Sequence, residues 1–125
     1  MIYLDTNVVV WIAAHALDQI SQTAQDIIEN SDELGVSPMV ILELKHLLEI
    51  KKITQKPESI LHYLEKNIGL KICEKPFQVI IEKAKNLSWT RDPFDRIITA
   101  QAEIDGDILL TRDRKIQENY KHSIW

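Results

Sequence analysis

Four acids stand out by their surroundings: Asp5, Glu43, Asp95 and Asp113. Asp5 closes the apolar run Ile2-Tyr3-Leu4, and Asp113 follows the run Asp107 to Thr111. Glu43 lies between Leu42 and Leu44 on an otherwise apolar helical face, and Asp95 lies in the first turn of a helix opened by Asp92-Pro93. Carboxylates drawn into an interior are costly unless they are paired or bind a metal. An all-carboxylate set completed by waters suits hard octahedral cations, Mg²⁺ or Mn²⁺. No histidine or cysteine pair has zinc spacing. Carboxylate-held Mg²⁺ commonly serves phosphate chemistry, activating water and stabilising a leaving oxyanion, with ions ~3.5–4 Å apart where two are used. Arg91, Arg96, Arg112 and Arg114 flank these acids and can neutralise ligand carboxylates or hold a phosphodiester.

For these acids to meet, strands and helices must alternate. Strands are expected at Ile2–Leu4, Leu34–Val36, Leu70–Ile72, Asp107–Thr111 and Ser123–Trp125. Val8 to Ile12 is β-branched, yet a helix running to about Ala16 fits equally, because periodicity cannot decide so short a run. Ser21 caps a helix through Asn30 with Ala24, Ile27 and Ile28 inward. Ser37-Pro38 opens another to about Ile50, with Val40, Ile41, Leu44, Leu47 and Leu48 on its apolar face. Pro57 starts a fourth helix that closes near Gly69, and Pro76 a fifth with Phe77, Ile80, Ile81 and Ala84 inward.

The helix after Asp92 is the most fully specified. Asp92 can cap it, Pro93 suits its first position, and Asp95 falls where the acid of a capping box sits. Phe94, Ile97, Ile98, Gln101 and Ala102 make its inward face, polar only at Gln101, while Arg96 and Thr99 point elsewhere. A short helix near Lys115 to Asn119 precedes the last strand. Short strands alternating with helices imply a parallel sheet covered on both faces. Ligands of such sheets sit outside the carboxyl ends of the strands at a topological switch point. Asp5 and Asp113 lie at strand ends and Asp95 at a helix start, so the four acids can converge in one cleft.

The 125 residues read as a single domain, 1–125, long enough for a real core. A formal net charge of −4 argues against a broad basic nucleic-acid surface, but not against an enzyme whose acids bind cations. No apolar run nears the roughly twenty residues that span a bilayer, so no membrane association is expected. Met1-Ile2-Tyr3-Leu4-Asp5 lacks a basic n-region, and the one cysteine, Cys73, fits a reducing, cytoplasmic setting and a place in the core. His15, His46, His62 and His122 are scattered, and Trp11 and Trp89 read as core or interface aromatics.

Together the motifs resemble those of the PIN-domain nucleases, and within them the small VapC-type toxins of bacterial toxin–antitoxin pairs. The first is Leu4-Asp5-Thr6-Asn7, the second Ser37-Pro38 followed by Glu43 between Leu42 and Leu44. The third runs from Arg91 through Asp92, Asp95 and Arg96 into Ala100-Gln101-Ala102, and the fourth is Leu110-Thr111-Arg112-Asp113-Arg114. The resemblance spans the chain and implies a three-layer α/β/α sandwich with a central, mostly parallel sheet. It implies a Mg²⁺- or Mn²⁺-dependent endoribonuclease acting on RNA. It further implies a homodimer held inactive by a cognate antitoxin, with DNA met only indirectly through that antitoxin. Carried over by position, the metal-binding and catalytic acids are Asp5, Glu43, Asp95 and Asp113. Thr6, Asn7 and Thr111 match positions that support the acids by hydrogen bonds, with Asp92 and Arg96 also beside the site.

Two other readings stand beside this one. A degenerate PIN-like module could bind RNA or a protein partner without cutting, though such a module need not keep four buried acids. A phosphatase with an aspartyl nucleophile is weaker, because Asp5-Thr6-Asn7 lacks a second aspartate two residues on. Clustered carboxylates repel, so at least one is expected to have a raised pKa without metal.

Overall fold

A computed structural model describes residues 1–125. Its five strands are β1 (Ile2–Leu4), β2 (Leu34–Val36), β3 (Lys71–Ile72), β4 (Ile108–Leu110) and β5 (Ser123–Ile124). Its helices are α1 (Thr6–Ala13), α2 (Gln22–Asn30), α3 (Met39–Glu49), α4 (Pro57–Ile68), α5 (Phe77–Ala84), α6 (Pro93–Glu103) and α7 (Arg114–Asn119). All strand pairings are parallel, in the order β3-β2-β1-β4-β5. The chain steps outward from β1 to β3, then returns to β4 on the other side of β1. That reversal is the switch point, and it lies between β1 and β4. The usual right hand of such crossovers assigns α1 to α4 to one face and α5 to α7 to the other. Packing follows suit, α1 against α4 and α5 against α6, while α3 also reaches α6.

Burial on both faces explains the unbroken apolar strands. Tyr3 and Leu4 of β1 and Leu109 and Leu110 of β4 are all buried, and Leu4 pairs in register with Leu110. No helix is long and apolar enough to cross a membrane. Punctuation acts as the residue types require. Ser21 accepts from Ala24 N, Ser37 Oγ accepts from Met39 N at 3.1 Å, and Gly69 closes α4 with φ of 66°. The ambiguous Val8 to Ile12 run is helical, but α1 stops at Ala13, short of Ala16, and His15 follows with φ of 55°.

Two expectations are corrected, at Phe77 and Thr99. Phe77 is not inward but 69 % exposed, because α5 packs on α6 through Ile80 and Ala84 and its first turn overhangs that contact. Thr99 does not point away from the interior. Its helix is packed by α5, α3 and β4, and Thr99 is 1 % exposed with its Oγ1 without a partner. Arg96 turns to the preceding loop, where its Nε donates to the carbonyls of Leu87 (3.0 Å) and Thr90 (2.8 Å). Gln101, the polar member of the buried face, accepts from Ser37 Oγ at 2.7 Å and so ties α6 to the start of α3.

The orphaned hydroxyl gives a stability test. A buried hydroxyl without a hydrogen bond costs about 1–3 kcal/mol, and valine has nearly the same shape. Thr99→Val is expected to raise the melting midpoint by a few degrees. A lowered midpoint would mean that the hydroxyl is satisfied, for instance by a buried water.

Candidate active site

The site is built at the carboxyl ends of β1 and β4. Asp5 leaves β1 as the N-cap of α1, and its backbone N–H continues the ladder by donating to Leu110 O at 3.0 Å. Its carboxylate is held at both oxygens: Oδ1 accepts from Thr6 N at 2.8 Å and Oδ2 from Thr111 Oγ1 at 2.6 Å. Thr111, fully buried, also accepts from Asp113 N at 3.0 Å, so one hydroxyl joins the acids that follow the two strands. Asp113 caps α7 through Ile116 N at 2.9 Å and is exposed. Thr6 Oγ1 donates to Glu43 Oε1, which ties the first turn of α1 to α3. Asn7 is exposed one residue further on.

Asp92 caps α6, its Oδ1 accepting from Phe94 N at 2.8 Å and Asp95 N at 3.3 Å. The capping box expected at Asp95 does not form. Thr90 Oγ1 takes the Asp92 N–H instead, at 3.2 Å, which leaves the Asp95 carboxylate without a hydrogen-bond donor. Sequence reasoning had passed over Thr90, although a threonine two residues before an N–H it accepts from is a recognised turn pattern. The site therefore gathers the N-terminal ends of α1, α6 and α7, whose partial positive charge favours anions, with Glu43 reaching in from α3.

These acids feel one another. Burial pushes the half-buried Asp95 carboxyl up to about 7, with Asp92, Asp5, Asp113 and Glu43 adding repulsion. Burial likewise raises Glu43 to about 7, against the Thr6 hydrogen bond and with the charges of Asp5 and Asp92. Asp5 is raised by burial first, although Thr111 and Thr6 N pull it down. Raised carboxyls were expected from mutual repulsion, but desolvation leads at all three.

The donor set fits a hard divalent cation: only carboxylate oxygens, with Asp95 wholly free. No three side chains form a complete protein cage as they stand. An ion here would therefore keep water in its shell, as Mg²⁺ does with one or two carboxylates. No arginine neutralises the cluster, since all ion pairs in the fold involve lysines or the amino terminus.

A parallel sheet with acids gathered at its β1–β4 switch point defines an α/β domain. The PIN-domain model matches residues 2–122, and the chain belongs to the PIN-domain family. It is 30 % identical over 124 residues to Ribonuclease VapC22 of Mycobacterium tuberculosis, covering 94 % of this chain and 91 % of that protein. Among solved structures it resembles VapBC2 of Rickettsia felis bound to a promoter DNA fragment, with a TM-score of 0.66 and 21 % identity, covering 99 % of this chain and 96 % of the other. It also resembles PAE2754 of Pyrobaculum aerophilum, with a TM-score of 0.62 and 21 % identity, covering 98 % and 87 %. These two likenesses establish the fold.

Proposed function

We propose that the chain is a Mg²⁺- or Mn²⁺-dependent endoribonuclease acting in the cytoplasm as the toxin of a toxin–antitoxin pair. The observation that carries this reading is Asp95: a half-buried carboxylate with no donor, in the field of four other acids. No side chain pairs with that carboxylate, and the α6 N-terminus compensates it only in part, whereas a bound cation would neutralise it. Membership of the family and the likeness to a VapC ribonuclease support the choice of RNA. The likeness to VapBC2 supports an antitoxin partner, with DNA met through that partner, and the family resemblance supports a homodimer.

Asp5, Glu43, Asp95 and Asp113 would hold the ion, which supplies Lewis acidity and an activated water for phosphodiester hydrolysis. The chain's own residues prepare that task. Thr111 and Thr6 N fix both Asp5 oxygens, so the carboxylate needs no reorganisation when a cation arrives. Thr6 Oγ1 orients Glu43, and Arg96 pins the loop from which Asp92 caps α6 and presents Asp95. The open carboxylate geometry also leaves room for a second reading, a module that binds RNA or protein without cutting.

Incubating total RNA with the purified chain separates the two. Cutting is expected with Mg²⁺ or Mn²⁺, and is expected to vanish with EDTA and in Asp5→Asn. A folded chain that is not toxic on expression and cuts nothing under any metal would favour the binding module.

A further inference from the structure

The chain has four arginines, and each is the immediate neighbour of one of the clustered acids Asp92, Asp95 and Asp113. Arg96 is committed to loop carbonyls. Arg91, Arg112 and Arg114 are exposed, and none forms an ion pair with the carboxylates beside it. Arg112 is held elsewhere. Its guanidinium lies over the Trp11 ring, 5.8 Å from the centroid, while Nη1 donates to Gln19 Oε1 at 3.2 Å. Trp11 in turn meets Trp125, with centroids 5.8 Å apart and planes at 53°. Both tryptophans are partly exposed.

This cluster adjoins the cleft along two paths. Arg112 lies between Asp113 and Thr111, the residue whose hydroxyl holds Asp5. Trp11 lies one helical turn beyond the exposed Asn7 on the same face of α1, and Asn7 is two residues from Asp5. A planar cation over an indole, next to a second indole and adjoining acids fit for phosphodiester chemistry, matches single-stranded RNA. Bases stack on aromatic rings and guanidinium planes, and cationic side chains track the backbone.

We infer that Arg112, Trp11 and Trp125 form a platform on which one unpaired base of a single-stranded RNA stacks, with the adjoining phosphate held by Arg112. The inference rests on the nuclease reading for its substrate class and adds the side chains on which the strand is seated. An unpaired base is required, because a base inside a duplex has no free face to offer. Trp11 and Arg112 are thus positioning residues that bring the strand past the acids.

The test uses the full chain carrying Asp5→Asn, in EDTA so that nothing is cut. Three labelled probes are titrated: a mixed-sequence single-stranded 12-mer, the same 12-mer as a duplex, and an abasic strand of equal length. Trp11→Leu is expected to weaken the single strand about tenfold. Arg112→Lys, which keeps the charge and loses the plane, is expected to weaken it several-fold. The duplex and abasic probes should bind both variants as they bind the parent. Trp125→Leu makes the same comparison if Trp11→Leu does not fold. Equal losses on all three probes, or none on the single strand, would overturn the platform and leave the cluster as packing. Unchanged RNA binding with altered self-association would overturn it in favour of a contact between copies. Failure of the platform with metal-dependent cutting intact would leave the nuclease reading standing. Base-dependent binding in a chain that never cuts would do the reverse.

Discussion

Asp95→Asn is expected to abolish metal-dependent RNA cleavage and, at the same time, to raise the melting temperature of the metal-free protein. The two effects have one cause. Asp95 is half-buried, accepts no hydrogen bond, and sits in the field of Asp92, Asp5, Asp113 and Glu43. Ionised, it is a liability to the fold, and its carboxyl is pushed up to about 7 from an ordinary 3.8. Asparagine removes the charge at nearly constant shape, so the metal-free chain gains stability at pH 8. At pH 5 the parent carboxyl is already protonated in the folded state, and the gain should shrink. Cleavage should fall by at least about 10²-fold, because supporting groups around metals already cost 10–100-fold when lost and Asp95 would be a direct ligand. Thermal melts at both pH values, with a cleavage time course, check all three statements. A variant that is less stable at pH 8 would mean that Asp95 holds the fold together, and the functional assignment of its free carboxylate would go with it.

The opposition of stability and function expected at Asp95 bears on what local sequence could and could not show. Asp5 and Asp113 were legible because each follows an apolar strand, and such ends face the switch point whatever the loops do. Pro57, Gly69 and the Asp92-Pro93 pair were legible because their backbone preferences leave little choice. Asp95 itself was found, but in the wrong local role. The capping-box pattern was satisfied on paper, while Thr90, two residues ahead of the cap, had the better geometry. Thr99 and Phe77 were misjudged for a different reason. Helical periodicity says which residues share a face, not how far neighbouring elements extend over it: α6 is packed by α3 as well as α5 and Thr99 is buried, while Phe77 at the start of α5 stays bare. The Ser37–Gln101 link and the Arg112–Trp11–Trp125 cluster join residues from opposite parts of the chain. Only the folded sheet order brings them together.

Without metal, stability should fall as pH rises from about 5 to 7.5, and Mg²⁺ should reverse the fall. Glu43 and Asp95 have ordinary values of 4.5 and 3.8 and folded values of about 7. Between those limits the folded state binds more protons than the unfolded state, so stability declines with increasing pH. Asp5, raised by its burial, acts in the same direction. Tyr3 and Tyr120, both pushed up to about 12 by burial, titrate far above this window. Cys73 works the other way. Burial raises its thiol, but hydrogen bonds with Tyr3, Lys75 N and Gln101 and the Lys75 charge bring it below the usual value. On the proposed function, Mg²⁺ would bind the ionised acids of the folded chain alone, so it would compete with protons and stabilise as the logarithm of its concentration over Kd. Millimolar Mg²⁺ should thus raise the melting temperature clearly at pH 7.5 and hardly at pH 5, and Asp95→Asn should flatten both dependences. A metal-free stability that rises with pH across this window, or a Mg²⁺ shift of equal size at both ends, would mean that these carboxylates are stabilised within the fold and await no cation.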